Sequence, residues 1–371
     1  MITIDKTRLI EIFTQLVRID ALSGDEKPVA DFVREFLKGK NVTIHEDNSK
    51  KATGSNTGNI IIKRGTGGKF MLTAHMDTAR TTKDIKVVID KETGKIATDG
   101  KTILGADNRQ GMATILYLLE LADNNPEIDD FTAVFFTCEE TTLGGSKNLE
   151  VPKWVEAGLV FDSSHLPGKF VYRAPGSKTF TIDIFGKASH SGIAPEKGIN
   201  SIAIAAAAIS KLKQGRIDEN TTMNIGIING GTATNVVPEH LQLVGEVRSF
   251  NPDRLDEELE RVLDTFGTEV FNAGATIKTD IYEDFTPYEL TPDHLAYQLI
   301  YKAIEATGMT PQPVISFGGS DANSLNGQGI PSVNIGIGAQ NPHANDEFVM
   351  TDDLIAAANI GLNIVDRKSV V

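Results

Sequence analysis

Apolar positions along this chain fall into two alternating patterns. Short runs that are apolar on both faces recur at 59–63, 70–74, 131–137 and 159–162, and read as buried strands. Between them, residues 109–121 space their apolar side chains as a helix does and stop at the turn-like Asp123-Asn124-Asn125-Pro126. This alternation predicts an α/β fold with a mixed, largely parallel sheet flanked by helices. From 177 to 283 the rhythm changes: strands at 179–185, 223–228, 241–247 and 275–282 and helices at 201–213 and 255–271 give the order βαββαβ, a small sandwich. The α/β pattern then resumes, with helices at 293–306 and 351–365 and strands at 313–317 and 332–337. The expected organisation is therefore a discontinuous domain, 1–176 and 284–371, interrupted by an inserted domain at 177–283. Short joints near Pro175-Gly176 and Pro287 suggest a hinge.

Composition narrows the classes of function. The chain has 371 residues, and its 36 basic and 50 acidic side chains give a formal charge of −14, which opposes binding to nucleic acid or to an anionic membrane. Its only cysteine is Cys138, so neither an intrachain disulfide nor a cysteine-rich zinc module is expected. The opening MITIDKTRLIEIFTQLV is broken by Asp5, Lys6, Arg8 and Glu11 and reads as an amphipathic helix rather than a signal peptide. No uncharged apolar run approaches the roughly 18 residues of a membrane span. A soluble cytoplasmic protein is the expectation, and its acids become the feature to explain.

Several acids and two histidines sit where open α/β sheets bind ligands, at or just after the carboxyl ends of strands. In FMLTAHMDT, His75 and Asp77 are two apart and project to one side of an extended segment, so one can ligate while the other fixes its tautomer. An ordinary turn would explain the pair equally well. Asp107 of ILGADNRQGMA precedes a helix, where an aspartate also serves as an N-cap. Glu139 and Glu140 end a strongly apolar strand, and adjacent carboxylates repel unless a cation holds them. Asp162 ends the apolar strand of GLVFDSS, and His343 lies in the loop AQNPHAN. Together, two histidines and three carboxylates suit a pair of divalent ions that share one carboxylate. The remaining glutamate would be free for proton transfer. The chemistry implied is hydrolysis, and adjacency alone does not decide which glutamate is the base.

With these residues in view, the chain resembles the M20 group of dinuclear zinc peptidases, and within it the peptidase T-like tripeptide aminopeptidases. The matching stretches are TAHMDT, GADNRQG, CEETTLGG, VFDSS, GKASHSG, GGTATNVVP, GEVRSF, GGSDAN and NPHANDEF. The resemblance implies a zinc-peptidase catalytic domain carrying a lid and dimerisation insert, and a metal-dependent aminopeptidase acting on short peptides, tripeptides among them, as a homodimer. It implies that His75 and Asp162 hold one ion, Glu140 and His343 the other, and Asp107 bridges both. Asp77 would orient His75, and Glu139 would serve a metal-bridging hydroxide as general base. It also implies a cis peptide bond between Asp107 and Asn108, and substrate contacts from His190, Asn235 and Arg248. Zinc is the expected metal, with cobalt or manganese suited to the same donors. The alternatives are an M20-type dipeptidase, an N-acyl amino acid amidohydrolase and a non-catalytic peptide- or metal-binding protein.

Two positions depart from the pattern: Phe317 stands where peptidase T relatives usually carry an arginine, and Asn108 where many carry a second aspartate. Other signals carry nothing. The glycines of 335–339 and 65–68 lack a complete dinucleotide-binding pattern. His45, His165, His240 and His294 have no matching partners, and Cys138 reads as a small core residue.

Overall fold

The computed structural model describes residues 2–366. Among the described residues, the larger of its two units comprises 2–173, 289–316 and 320–366. Its sheet places Val42–Glu46, Ile60–Arg64, Thr132–Phe136, Phe70–His75, Ala157–Ser163, Ser332–Gly336 and Lys169–Ala174 side by side in that order. The four strands from Thr132–Phe136 to Ser332–Gly336 are mutually parallel, while the flanking pairs are antiparallel. Every residue of Phe70–His75, Thr132–Phe136 and Ser332–Gly336 is buried, which is why these segments read as unbroken apolar runs. Helices Ala106–Asn124, Leu295–Ala306 and Asp321–Gly327 pack against the strands, and Lys6–Leu16 and Thr351–Val365 pack on Ala106–Asn124. Lys6–Leu16 is the amphipathic helix expected at the N-terminus, capped by the Asp5 carboxylate and burying Leu9, Ile12, Phe13 and Leu16.

Several elements carry no unbroken apolar run. The edge strand Val42–Glu46 alternates between half-buried and exposed residues. Val87–Ile89, Lys95–Thr98 and Val349–Met350 form a separate small sheet of short strands. The expected strand at 313–317 spans only Gln312–Ile315.

The second unit comprises Ala174–Tyr288 and Phe317–Gly319. Its sheet runs Gly215–Arg216, Thr221–Gly230, His240–Ser249, Gly176–Phe185 and Thr276–Phe285, with every neighbouring pair antiparallel. Helices Ser201–Lys211 and Pro252–Asn272 pack on each other and on this sheet. Phe180, Ile182, Leu243, Val247, Val262 and Phe266 form the buried layer between them. Among the described residues, no helix is long and apolar enough to cross a membrane.

Candidate metal centre

Parallel pairing brings the chemistry to one edge of the larger unit. Phe70–His75 runs parallel to both of its neighbours, so the carboxyl ends of all three strands face the same way. His75 pairs with Phe136, three residues before Glu139, and Thr73 pairs with Val160, which brings His75 level with Asp162. Cys138 (φ 52°) and His343 (φ 65°) adopt the left-handed conformation that side chains other than glycine rarely take. At Cys138 this turn sends the chain from the strand end directly into the short helix Glu139–Thr142. Cys138, read from the sequence as a small core residue, thus lies just beyond the end of the strand Thr132–Phe136. The residue is buried, but it is the corner.

Buried Asp77 ties this corner together. It accepts the backbone N–H groups of Glu139 and Glu140, each at 3.1 Å, and the Ser23 hydroxyl at 2.6 Å. Its Oδ1 lies 3.3 Å from His75 Nδ1, and its carbonyl oxygen 3.1 Å from the same nitrogen. With a proton on Nδ1, the Nε2 lone pair faces Asp107 at 3.1 Å and Asp162 at 3.3 Å. His343 Nε2 lies 3.4 Å from the other Asp107 oxygen and 3.0 Å from Glu140. Asp107 thus turns one oxygen to each imidazole. Glu139 lies alongside, 3.8 Å from His75 Nε2. The peptide bond from Asp107 to Asn108 is cis, and Asn108 Nδ2 donates to Asp162 at 2.8 Å, so this neutral amide holds a neighbouring acid in place.

Two groups of ligating atoms result, His75 with Asp107 and Asp162, and Asp107 with Glu140 and His343, the atoms of each lying within 4.8 Å of one another. Each offers one imidazole nitrogen and two carboxylate oxygens, a donor set suited to a divalent ion of intermediate softness. The electrostatics agree. Burial, with the charges of Asp162, Asp321 and Glu140, pushes the Glu139 carboxyl well above the usual range. Burial likewise raises Glu140 and Asp162, and takes Asp321 up to about 7. Asp107 and Glu140 raise His343 to about 10, and the surrounding carboxylates raise His75 despite its burial. Without a metal, protons offset the clustered negative charge. Divalent ions on the same atoms would take over that role.

The other expected site residues belong to the second unit. His190 and Asn235 are exposed on facing loops, where Ser191 N–H donates to the Asn235 carbonyl at 3.0 Å. Arg248, on the strand His240–Ser249, forms a bidentate pair with Glu246 at 3.1 and 3.0 Å and donates to the Phe317 carbonyl at 3.3 Å. Phe317 packs edge-on against Phe250, and the Arg216 guanidinium lies 4.6 Å from its ring centroid. A guanidinium from another strand, that of Arg216, therefore stacks on Phe317, the position that departs from the family pattern.

Sequence reasoning missed Glu347 and Arg109. Both are wholly buried. Glu347 lies in the same loop as His343, and its polar neighbours in the sequence make it read as a solvated acid.

Residues 172–272 match the family model for a peptidase dimerisation domain. The chain is 32% identical to the uncharacterised protein YqjE of Bacillus subtilis (strain 168), over 99% of this chain and 100% of that one. A tripeptidase from Staphylococcus aureus superposes with a TM-score of 0.92 at 30% identity, covering 99% of both chains. Aminopeptidase PepT from Bacillus cereus gives 0.89 at 30% identity, covering 98% of both. With this fold, this insert and these relatives, the chain belongs to the M20 peptidases and is similar to the peptidase T group within them.

Proposed function

We propose that this chain is a dinuclear metallo-aminopeptidase that removes the N-terminal residue of short peptides, tripeptides among them. The observation that carries this reading is the placement of Asp107 between two imidazole-carboxylate groups, with the Glu139 carboxyl beside them. Two divalent ions, zinc first and cobalt or manganese on the same donors, would polarise the scissile carbonyl and bring the attacking water close to neutrality in pKa. His75 and Asp162 would hold one ion, Glu140 and His343 the other, and Asp107 both.

Glu139 would then carry the proton. Its raised proton affinity suits a base that takes a proton from water as the oxygen–carbon bond forms and returns it to the amine nitrogen as the carbon–nitrogen bond breaks. Asp77 holds the backbone of Glu139 and Glu140 while fixing the His75 ring, so ligand and base share one support. In the second unit, His190 would donate to the developing oxyanion. Asn235 and Arg248 would hold the peptide backbone or its terminal carboxylate. The dimerisation-domain match supports a homodimer formed through the inserted unit.

Glu139→Gln keeps size and hydrogen bonding but cannot accept the proton. Turnover of a tripeptide should fall by at least ~100-fold, the lower end of what general base catalysis contributes, while metal content stays at wild-type level. A fully active Glu139→Gln enzyme would sink the assignment. A panel of tripeptides, dipeptides and N-acyl amino acids tests the substrate class. Hydrolysis confined to N-acyl substrates would replace the aminopeptidase reading with the amidohydrolase one.

A further inference from the structure

We propose that Glu347 is a positioning residue that sets the spacing between Asp107 and His343, and through it the affinity of the second metal group. The proposal rests on the metal reading above and adds a residue outside the ligand set. The helix Ala106–Asn124 begins with Gly105 in the left-handed conformation, and Asp107 and Asn108 have non-helical backbone angles. N–H groups at the start of a helix have no acceptor within it. Here the acceptor comes from far along the chain: Glu347 Oε2 accepts the Gly105 N–H at 2.7 Å and Oε1 the Asp107 N–H at 3.1 Å. A carboxylate at this end of a helix is also favoured by the helix dipole.

The loop that delivers Glu347 also delivers His343. Gln340 and Phe348 exchange backbone hydrogen bonds at 2.9 and 3.1 Å and close the loop at its base. Glu347 N–H donates to the Ala344 carbonyl at 3.0 Å, and His343 sits at φ 65° in the turn. One buried carboxylate therefore joins the backbone of the shared ligand Asp107 to the loop of the ligand His343, whose side chains face each other at 3.4 Å. An ordinary helix cap would use a residue just before the helix. This one couples two ligand segments.

The test is metal binding rather than turnover. Glu347→Gln can accept only one of the two N–H groups, and its NH2 confronts the other. Calorimetric titration of the metal-free protein with Zn2+, together with the visible absorption of its Co2+ form, should show two ions in the wild type. In Glu347→Gln one ion should bind as before and the other roughly 10–100-fold more weakly, with an altered Co2+ spectrum, as expected when an outer-shell partner is lost. Glu347→Asp, which keeps the charge but reaches less far, should fall between the two, and it decides the matter if Glu347→Gln does not fold. Asp130→Asn controls for general destabilisation: Asp130 accepts the Thr66 N–H at 2.8 Å and pairs with Arg64 at 3.1 Å, just before the amino end of the strand that leads to Glu139. It should melt earlier and still bind two ions with wild-type affinity. Wild-type binding and spectra in both Glu347 variants would overturn the proposal, as would an equal loss of affinity in Asp130→Asn. A wild type that binds fewer than two ions would overturn the metal reading itself, and the role of Glu347 with it.

Discussion

Arg109 shows how much of this centre depends on a residue that touches no proposed ligand atom. Its guanidinium is wholly buried and donates to the carbonyl of Met76, the residue between His75 and Asp77, and to the Ile19 carbonyl at 3.3 Å. Burial lowers its pKa to about 10, which still leaves a cation at neutral pH, and Asp77, Asp20, Glu26 and Glu140 supply the opposing negative charge. Arg109→Met keeps a long unbranched side chain but leaves that carbonyl unpaired and the acids uncompensated. Breaking a buried charge arrangement in this way typically costs about 3–5 kcal/mol. The urea midpoint of the metal-free protein should fall accordingly, and Arg109→Lys, which keeps the charge but not the fork, should lose less. A loss under about 1 kcal/mol in Arg109→Met, the scale of an exposed ion pair, would mean that Arg109 is not the local counter-charge.

At the scale of elements, the sequence spoke clearly where burial leaves one solution. The central strands are covered on both faces, so composition alone marks them, and the fold class followed from their alternation with helices. Val42–Glu46 and the small sheet around Lys95–Thr98 stayed hidden because short, half-solvated strands resemble polar loops. Strand ends drew attention to His75, Asp107, Glu139, Glu140, Asp162 and His343, but the family resemblance, not spacing, supplied the roles proposed for them. Glu347 and Arg109 stayed hidden because their burial comes from distant segments meeting, which no local pattern records. The second unit poses its own question at this scale. Its sheet ends at Thr276–Phe285, an edge strand whose Ile281 and Tyr282 are about half exposed, and an open edge invites pairing with another chain. Light scattering should give twice the 40.1 kDa chain mass, and Ile281→Lys should shift the population to monomer while leaving the unit folded. A wild-type monomer would sink the homodimer.

For the whole molecule, the charge of −14 has two parts: a solvated surface excess and a buried cluster. The cluster ties stability to pH with a definite sign. In the metal-free protein Glu139, Glu140, Asp162 and Asp321 hold their protons to higher pH than an unfolded chain would, and so do His75 and His343. The folded state therefore binds more protons than the unfolded one across neutral pH, and its stability must fall as pH rises. Each excess buried proton contributes a slope of about 1.4 kcal/mol per pH unit, and less for His343, half of whose ring faces solvent. For Asp321 the loss is complete once the pH has passed about 7; for His343 it continues towards about 10. The depressed carboxyls Asp77 and Asp107 act in the opposite sense only at acid pH, below the ordinary carboxylate range, and leave this window untouched. Divalent ions neutralise the same atoms without protons, and at a free concentration of 100 Kd one such ion adds about 2.7 kcal/mol. Melting profiles in chelator should therefore drop steeply between pH 6 and pH 8.5, as a range on the order of the ordinary imidazole pKa upward, while profiles in excess Zn2+ or Mn2+ stay nearly flat. Equal slopes with and without metal would show that the buried acids are neutralised some other way, and would remove the electrostatic case for two ions.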